Sequence, residues 1–288
     1  MEANTYIHGT SAREQQRLID QANRFDALLK ANVELHPGER LLEIGCGVGA
    51  VLAGIARTHP EARLSGIDIS AEQIAGARRH LGEQGLSDIE LVVGDATALP
   101  WPDGHFDRVR LVWVVEHLSE PRAALAEALR VLRPGGSIHL TETDYGSLRV
   151  SPSDAEIEAL LRAFVTHFNR HGNAHAGPSL GPLLEEVGFN QVAVEMVGFH
   201  FWCPSRRAQL RDFCSYLLQF ITPELPALEA AASSKADAAL IRSGHSHFAA
   251  LAERGNGALS ISTYQARGEK APAGETRPSP PQLPSRSG

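Results

Sequence analysis

Three acidic side chains, Glu43, Asp68 and Asp95, each stand at the end of a short apolar run, and the glycine-rich turn "GCGVG" (Gly45 to Gly49) follows the first. A carboxylate can hold a cation, accept hydrogen bonds from hydroxyls or accept one from an exocyclic amine. Glycines supply the left-handed backbone of a tight turn and let a ligand approach the chain. Gly45, Gly47 and Ala50 satisfy the spacing G-x-G-x-x-G/A, in which the turn holds a pyrophosphate. Glu43 argues against that ligand, because two residues before Gly45 a carboxylate would repel a pyrophosphate and attract an ammonium or a sulfonium. Gly49 stands one residue before the position that the dinucleotide pattern uses. Asp68 can accept ribose hydroxyls in either case. Asp95, in "GDATALPW", can take an adenine amine, with apolar neighbours flanking the ring.

Among the other reactive types, His117 in "VVEHL" falls where a strand gives way to a loop, the edge at which open α/β sheets bind ligands. Two readings are open for it: a base for a hydroxyl or amine nucleophile, or a packing histidine. His167, His171 and His175 have helical spacing, but Gly172 and Gly177 interrupt the helix and no carboxylate completes a set, so no metal site is expected. Cys46, Cys203 and Cys214 form no C-x-x-C pair or even disulfide framework, which points to a reducing compartment.

These residues need a scaffold. From about residue 40 to 145, β-rich runs alternate with helical ones, the pattern of a parallel sheet built of βαβ units. The expected strands are "RLLEIG", "RLSGIDIS", "IELVVGDA", "FDRVRLVWVV" and "SIHLTETD", then "QVAVEMVGFHFW" and "GALSISTYQARG". Capping boxes at Ser11/Glu14, Ser70/Gln73 and Ser153/Glu156 start helices, and Pro121 opens another. Residues 205–253 read as helical with breaks at Pro223 and Pro226, and "SLGPLLEEVGF" as a helix ending at Gly188.

The chain of 288 residues is 43% hydrophobic and 21% charged, enough to bury a full core. Its net charge of −7, with no basic run before the tail, disfavours nucleic acid. Neither a signal peptide nor an apolar segment of bilayer length is evident, so no membrane is expected and a cytoplasmic location is.

Taken together, "EIGCGVG", "GIDIS", "GDATALPW", "FDRVRLVWVVEHL" and "LRPGGSI" resemble the class I S-adenosylmethionine (SAM)-dependent methyltransferases, in the branch of quinone and natural-product enzymes, over about residues 35–145. The resemblance implies an α/β fold with a seven-stranded, mostly parallel Rossmann-like sheet, its last strand antiparallel. It implies that Gly45, Gly47 and Gly49 line the methionine part of SAM, with Glu43 near its amino group. Asp68 then binds the ribose, Ile69 and Ala96 flank the adenine, Asp95 takes its amine, and Val112 and Trp113 approach the sulfonium. A lid over residues 1–34 brings Tyr6 and Gln15 or Gln16 to the methionine end. A methyltransferase domain follows over 35–267, with helical insertions at about 150–170 and 205–253 covering the cleft, then a disordered tail over 268–288. The expected function is methyl transfer to an O, N or C atom of a small molecule, with SAM as cofactor and His117 as the candidate catalytic residue. The aromatic stretch 199–220 points to an apolar or aromatic acceptor. An NAD-dependent oxidoreductase and a catalytically silent SAM-binding module are the alternatives.

Overall fold

A computed structural model describes residue 9 and residues 11–30 and 33–274; Tyr6 and residues 275–288 lie outside the described residues. The central frame is a seven-stranded sheet in the order β3-β2-β1-β4-β5-β7-β6. Strands β1 (Arg40–Ile44), β2 (Arg63–Asp68), β3 (Glu90–Val93), β4 (Phe106–Val112) and β5 (Leu132–Ser151) pair in parallel, whereas β7 (Ala258–Glu269) runs antiparallel to β5 and to β6 (Asn190–Trp202). Leu41, Leu42 and Ile44 of β1 are buried because helices cover both faces of the sheet.

Helices α3 (Ala50–Thr58) and α4 (Ala71–Gly82) pack with the first strands, while α5 (Pro121–Val131) and α7 (Ala176–Val187) share a core with β4 and β5. A second core lies beyond the parallel strands. There β5 and β7 continue past their parallel neighbours, with Arg149–Ser151 of β5 paired to Ser260–Ala258 of β7. Helices α1 (Ala12–Arg24), α2 (Asp26–Lys30), α6 (Ala155–His171), α8 (Arg207–Ala230) and α9 (Lys235–Ala249) bury Phe25, Leu160, Phe164, Phe213 and Phe248 against that extension.

Several local expectations need correction. Helix α8 runs unbroken through Pro223 and Pro226. A proline costs a helix one hydrogen bond and some strain, and here burial of Phe220, Ile221 and Leu228 on the same helix offsets it. Helix α7 begins at Ala176, three residues earlier than expected, because Pro178 falls in the first turn, where no intrahelical N–H donor is required. The cap of α6 is Asp154 rather than Ser153: its Oδ1 accepts from Ile157 N at 2.9 Å, and Oδ2 also accepts from Arg254. Strand β7 extends to Glu269, beyond the expected tail boundary at 268, and Lys270 N still donates to Gly136 O.

Candidate active-site cleft

The carboxyl ends of β1, β2, β3 and β4 open into one cleft, roofed by α1. Its lining includes Glu43, Gly45, Gly47, Asp68, Ile69, Asp95, Ala96, Val112, Trp113 and His117, so the structure gathers residues from four strand ends that span 75 positions of sequence. Gly49 is not among the lining residues. It stands at the N-terminus of α3 with φ +70°, and a Cβ there would sit 3.0 Å from Leu81 Cδ1, so its smallness serves the packing of α3 on α4. Gly45 and Gly47 also take positive φ; a Cβ on Gly45 would sit 2.5 Å from Val114 Cγ2.

Glu43 is 2% exposed, and its Oε2 has no hydrogen-bond partner. Burial pushes its pKa up to about 8, against the opposing pull of Arg110, its register neighbour on β4. A buried carboxylate left this way calls for a cation. Asp68 Oδ2 accepts from Gly47 N at 2.9 Å and Oδ1 from Ser70 N at 2.9 Å, which ties the end of β2 to the glycine turn. Burial raises its pKa, and the two backbone N–H groups oppose the rise. Each oxygen keeps a lone pair for a further donor. Asp95 Oδ1 accepts from both Thr97 N and Thr97 Oγ1 at 2.8 Å, and Oδ2 remains for a ligand. Ile69 is 66% exposed beside them, a flat apolar surface suited to an aromatic ring.

Trp113 adopts φ +52°, strained for a bulky side chain. Its backbone N donates to Thr141 O at 2.8 Å, its indole N–H donates to Thr143 Oγ1 at 3.0 Å, and Phe25 packs against its ring at 5.3 Å. The turn after it is fixed by Glu142 of β5, whose Oε1 accepts from Val114 N (2.8 Å) and Val115 N (2.7 Å). That turn carries Glu116 and His117. His117 Nε2 lies 3.4 Å from Glu116 Oε1, and burial pushes the His117 pKa down to about 4, which keeps the ring neutral and weakens it as a base.

Sequence reasoning passed over a polar group at this end of the cleft: Glu116, Glu142, Arg17 and Tyr145. Glu142 stands between Thr141 and Thr143 in β5, and nothing in that polar run marked it as fully buried. Arg17 on α1 is clamped by Glu14 at 2.6 and 2.7 Å and lies over the Phe220 ring, 5.1 Å from its centroid. From α1, Arg17, Leu18, Gln21 and Ala22 face the cleft. Gln15 instead donates to Glu72 O and accepts from Arg79, while Gln16 donates to Asp20, so neither meets the cleft. Of the aromatic stretch 199–220, Phe220 lines the cleft, whereas Phe199, Phe213 and Tyr216 surround Phe25 in the core.

The three helical-spaced histidines do not converge: His167 pairs with Glu224 at 3.1 Å and His175 with Asp144 at 2.9 Å. A different trio, Asp154, Glu156 and His247, has ligand atoms within 4.8 Å of one another, but the Asp154 carboxylate is already engaged by Arg254 and His247.

A parallel sheet with this strand order and a glycine turn at its carboxyl edge defines a class of nucleoside-binding α/β proteins. Residues 42–140 match the family model described as a methyltransferase domain, and the chain carries that domain in the class I methyltransferase fold. It is 37% identical over 155 residues to a 37.1 kDa protein of transposon Tn4556 in Streptomyces fradiae, covering 54% of this chain and 44% of that protein. It is 33% identical over 156 residues to the 27-O-demethylrifamycin SV methyltransferase of Amycolatopsis mediterranei, covering 53% and 54%. The chain thus spans about half the length of these relatives. Among solved structures, phosphoethanolamine N-methyltransferase 2 of Haemonchus contortus, in complex with S-adenosylhomocysteine (SAH), superposes with TM-score 0.56 at 19% identity, over 86% of this chain and 52% of that one. That likeness shows the shared fold. Among the described residues no helix is long and apolar enough to cross a membrane.

Proposed function

We propose that this protein binds SAM in the cleft and transfers its methyl group to an O, N or C atom of a small molecule. The observation that carries the reading is the buried, unpartnered carboxylate oxygen of Glu43 at the end of β1. It is where an ammonium group belongs and where a pyrophosphate would be repelled. Asp68 then holds the ribose hydroxyls, Asp95 the adenine amine, and Ile69 and Ala96 flank the ring, while Gly45 and Gly47 admit the methionine chain. When bound, SAM supplies a methyl carbon made electrophilic by its sulfonium. The residues of the chain position the partner, exclude water and hold protons. Val112 and Trp113 face the reacting end, and α1 closes over it as a lid. Alignment of a nucleophile with that carbon can supply about 7–11 kcal/mol, so a strong base is not required. The free cysteines Cys46, Cys203 and Cys214 support a reducing, cytoplasmic setting.

Calorimetric titration with SAM, SAH and NAD tests the reading. Both adenosyl ligands are expected to bind, NAD is not, and Asp68→Ala weakens adenosyl binding at least about tenfold through lost hydrogen bonds to the ribose. Binding of NAD alone would return the glycine turn to a pyrophosphate ligand. Adenosyl binding with no turnover on any acceptor would leave a silent binding module.

A further inference from the structure

Glu116 lines the cleft beyond Trp113, is 2% exposed, and its Oε2 accepts no hydrogen bond from any donor group. Behind it stands Glu142, 0% exposed, with its Oε2 equally without a donor. The two carboxyl groups are close enough that each bears on the other's ionisation. Burial raises both pKa values, and two buried carboxylates this close do not both ionise, so the pair keeps at least one proton. Glu116 is the member of the pair that faces the cleft, and Glu142 stands behind it with its Oε1 accepting two backbone N–H groups.

Among the described residues, the base whose charge acts on Glu116 is Arg17. Arg17, the one Arg or Lys among the described residues lining the cleft, is bidentate to Glu14, so the two neutralise each other. Among the described residues near Glu116, burial keeps His117, Tyr145 and Tyr216 neutral, and His171 lines the same cleft. Among the described residues, four acidic side chains line the cleft, namely Glu43, Asp68, Asp95 and Glu116. The first three are accounted for by the cofactor, which leaves Glu116. The same cleft is lined by the aromatic residues Tyr145, Trp113 and Phe220, whose rings can attract cations as well as apolar groups.

We propose that Glu116, sharing one proton with Glu142, is the group that binds and deprotonates the methyl acceptor, and that this acceptor is a small amine entering as a cation. The inference rests on SAM binding as proposed above. The ammonium N–H bond breaks, its electron pair stays on nitrogen, and the proton goes to the Glu116–Glu142 pair, leaving both carboxyl groups neutral. The freed lone pair forms the N–CH3 bond as the S–CH3 bond breaks with its electrons on sulfur, giving a thioether and a methylated ammonium. The extra proton then returns to solvent, restoring the pair.

Two measurements test this. Infrared spectroscopy of the ligand-free protein at pH 7.5 is expected to show C=O stretches of protonated carboxyls, of which the component from the pair is lost in Glu116→Gln while that of Glu43 remains; a spectrum unchanged by that substitution overturns the proton-sharing pair. Calorimetry of the SAH-loaded protein then compares benzylamine, protonated at neutral pH, with the matched benzyl alcohol. The amine is expected to bind at least about tenfold tighter, as a charge-assisted hydrogen bond predicts, and the preference disappears in Glu116→Gln. Equal binding, preference for the alcohol, or binding of neither overturns the amine assignment. SAH affinity, read in the same experiment, reports separately on the cofactor reading: if SAH fails to bind wild type, that reading falls, while the infrared result still judges the pair. Unchanged SAH affinity in Glu116→Gln shows that the variant folds.

Discussion

At the scale of single residues, the most informative group is the one that is least comfortable. Glu43 is buried beside a glycine turn with one oxygen unsatisfied and a pKa raised to about 8 by desolvation. At pH 7 it is therefore largely protonated in the empty cleft. An arriving ammonium favours the carboxylate and drives the proton off. SAM binding at pH 7 is expected to release up to about one proton, measured by titration in buffers of different ionisation enthalpy. Glu43→Gln abolishes the release and weakens binding. Zero release in wild type would mean that no cation meets Glu43, which would sink the assignment of the methionine end. Trp113 makes a complementary case. Its left-handed backbone is retained because Thr141, Thr143 and Phe25 hold it, and the strain places its ring at the cleft wall.

At the scale of elements, α1 roofs the cleft, and the lid role proposed for it can be tested. Leu18 of this helix lies where a side chain on Gly47 would project, so the lid rests on the glycine turn. Its far end is tied to α8 by Arg24, whose two terminal nitrogens reach the Asp212 carboxylate. Cutting that tie outside the cleft with Arg24→Ala is expected to speed hydrogen exchange in α1 and to raise the SAH dissociation rate by about 1.4- to fivefold, the range of an exposed ion pair worth about 0.2–1 kcal/mol. Exchange in α3 should not change. If SAH leaves at the wild-type rate although α1 exchanges faster, the helix does not gate the cleft. The lid also shows what sequence could and could not reveal. The cap at Ser11 and the apolar stripe of Leu18, Ala22 and Phe25 were legible because both are local and periodic. That Gln15 would turn outward while Arg17 turned inward was not, because it depends on Glu72, Arg79 and Phe220, residues 57 to 203 positions away. The strand-end acids Glu43, Asp68 and Asp95 were legible for the opposite reason: in a parallel sheet, the end of each strand is already the ligand edge. Glu116 and Glu142 meet only through the pairing of β4 with β5, so neither residue alone carried the signal.

At the scale of the whole molecule, the buried charges set how stability follows pH, and the signs can be worked out. Glu43 has a folded pKa near 8 against an ordinary 4.5, so the stability its protonated form contributes is present below 4.5 and lost as pH rises through 8. Burial raises Glu116 and Glu142 as well, with the same sign. His117 and His139 oppose this: burial holds both near pKa 4 against 6.5, so they cost stability in acid and stop changing it above 6.5. At the acid end, Asp212 is depressed by Arg24 and Glu127 by Arg130, and what they contribute is lost as pH falls through their folded values. Below pH 6.5 the two sets partly cancel; between 6.5 and 8 only the buried carboxylates still titrate. The ligand-free protein is therefore expected to lose stability across that interval, with Tm falling on the order of 2–4 °C per kcal/mol. Glu43→Gln flattens the fall. Saturating SAH flattens it too, because its ammonium lets Glu43 ionise without penalty, so the gap between free and loaded Tm should widen from pH 6.5 to 8. Scanning calorimetry of the free and SAH-loaded protein at those two values checks it. A gap that narrows as pH rises would mean the ligand leaves Glu43 protonated, and the charge logic that orders this cleft would be wrong at its first residue.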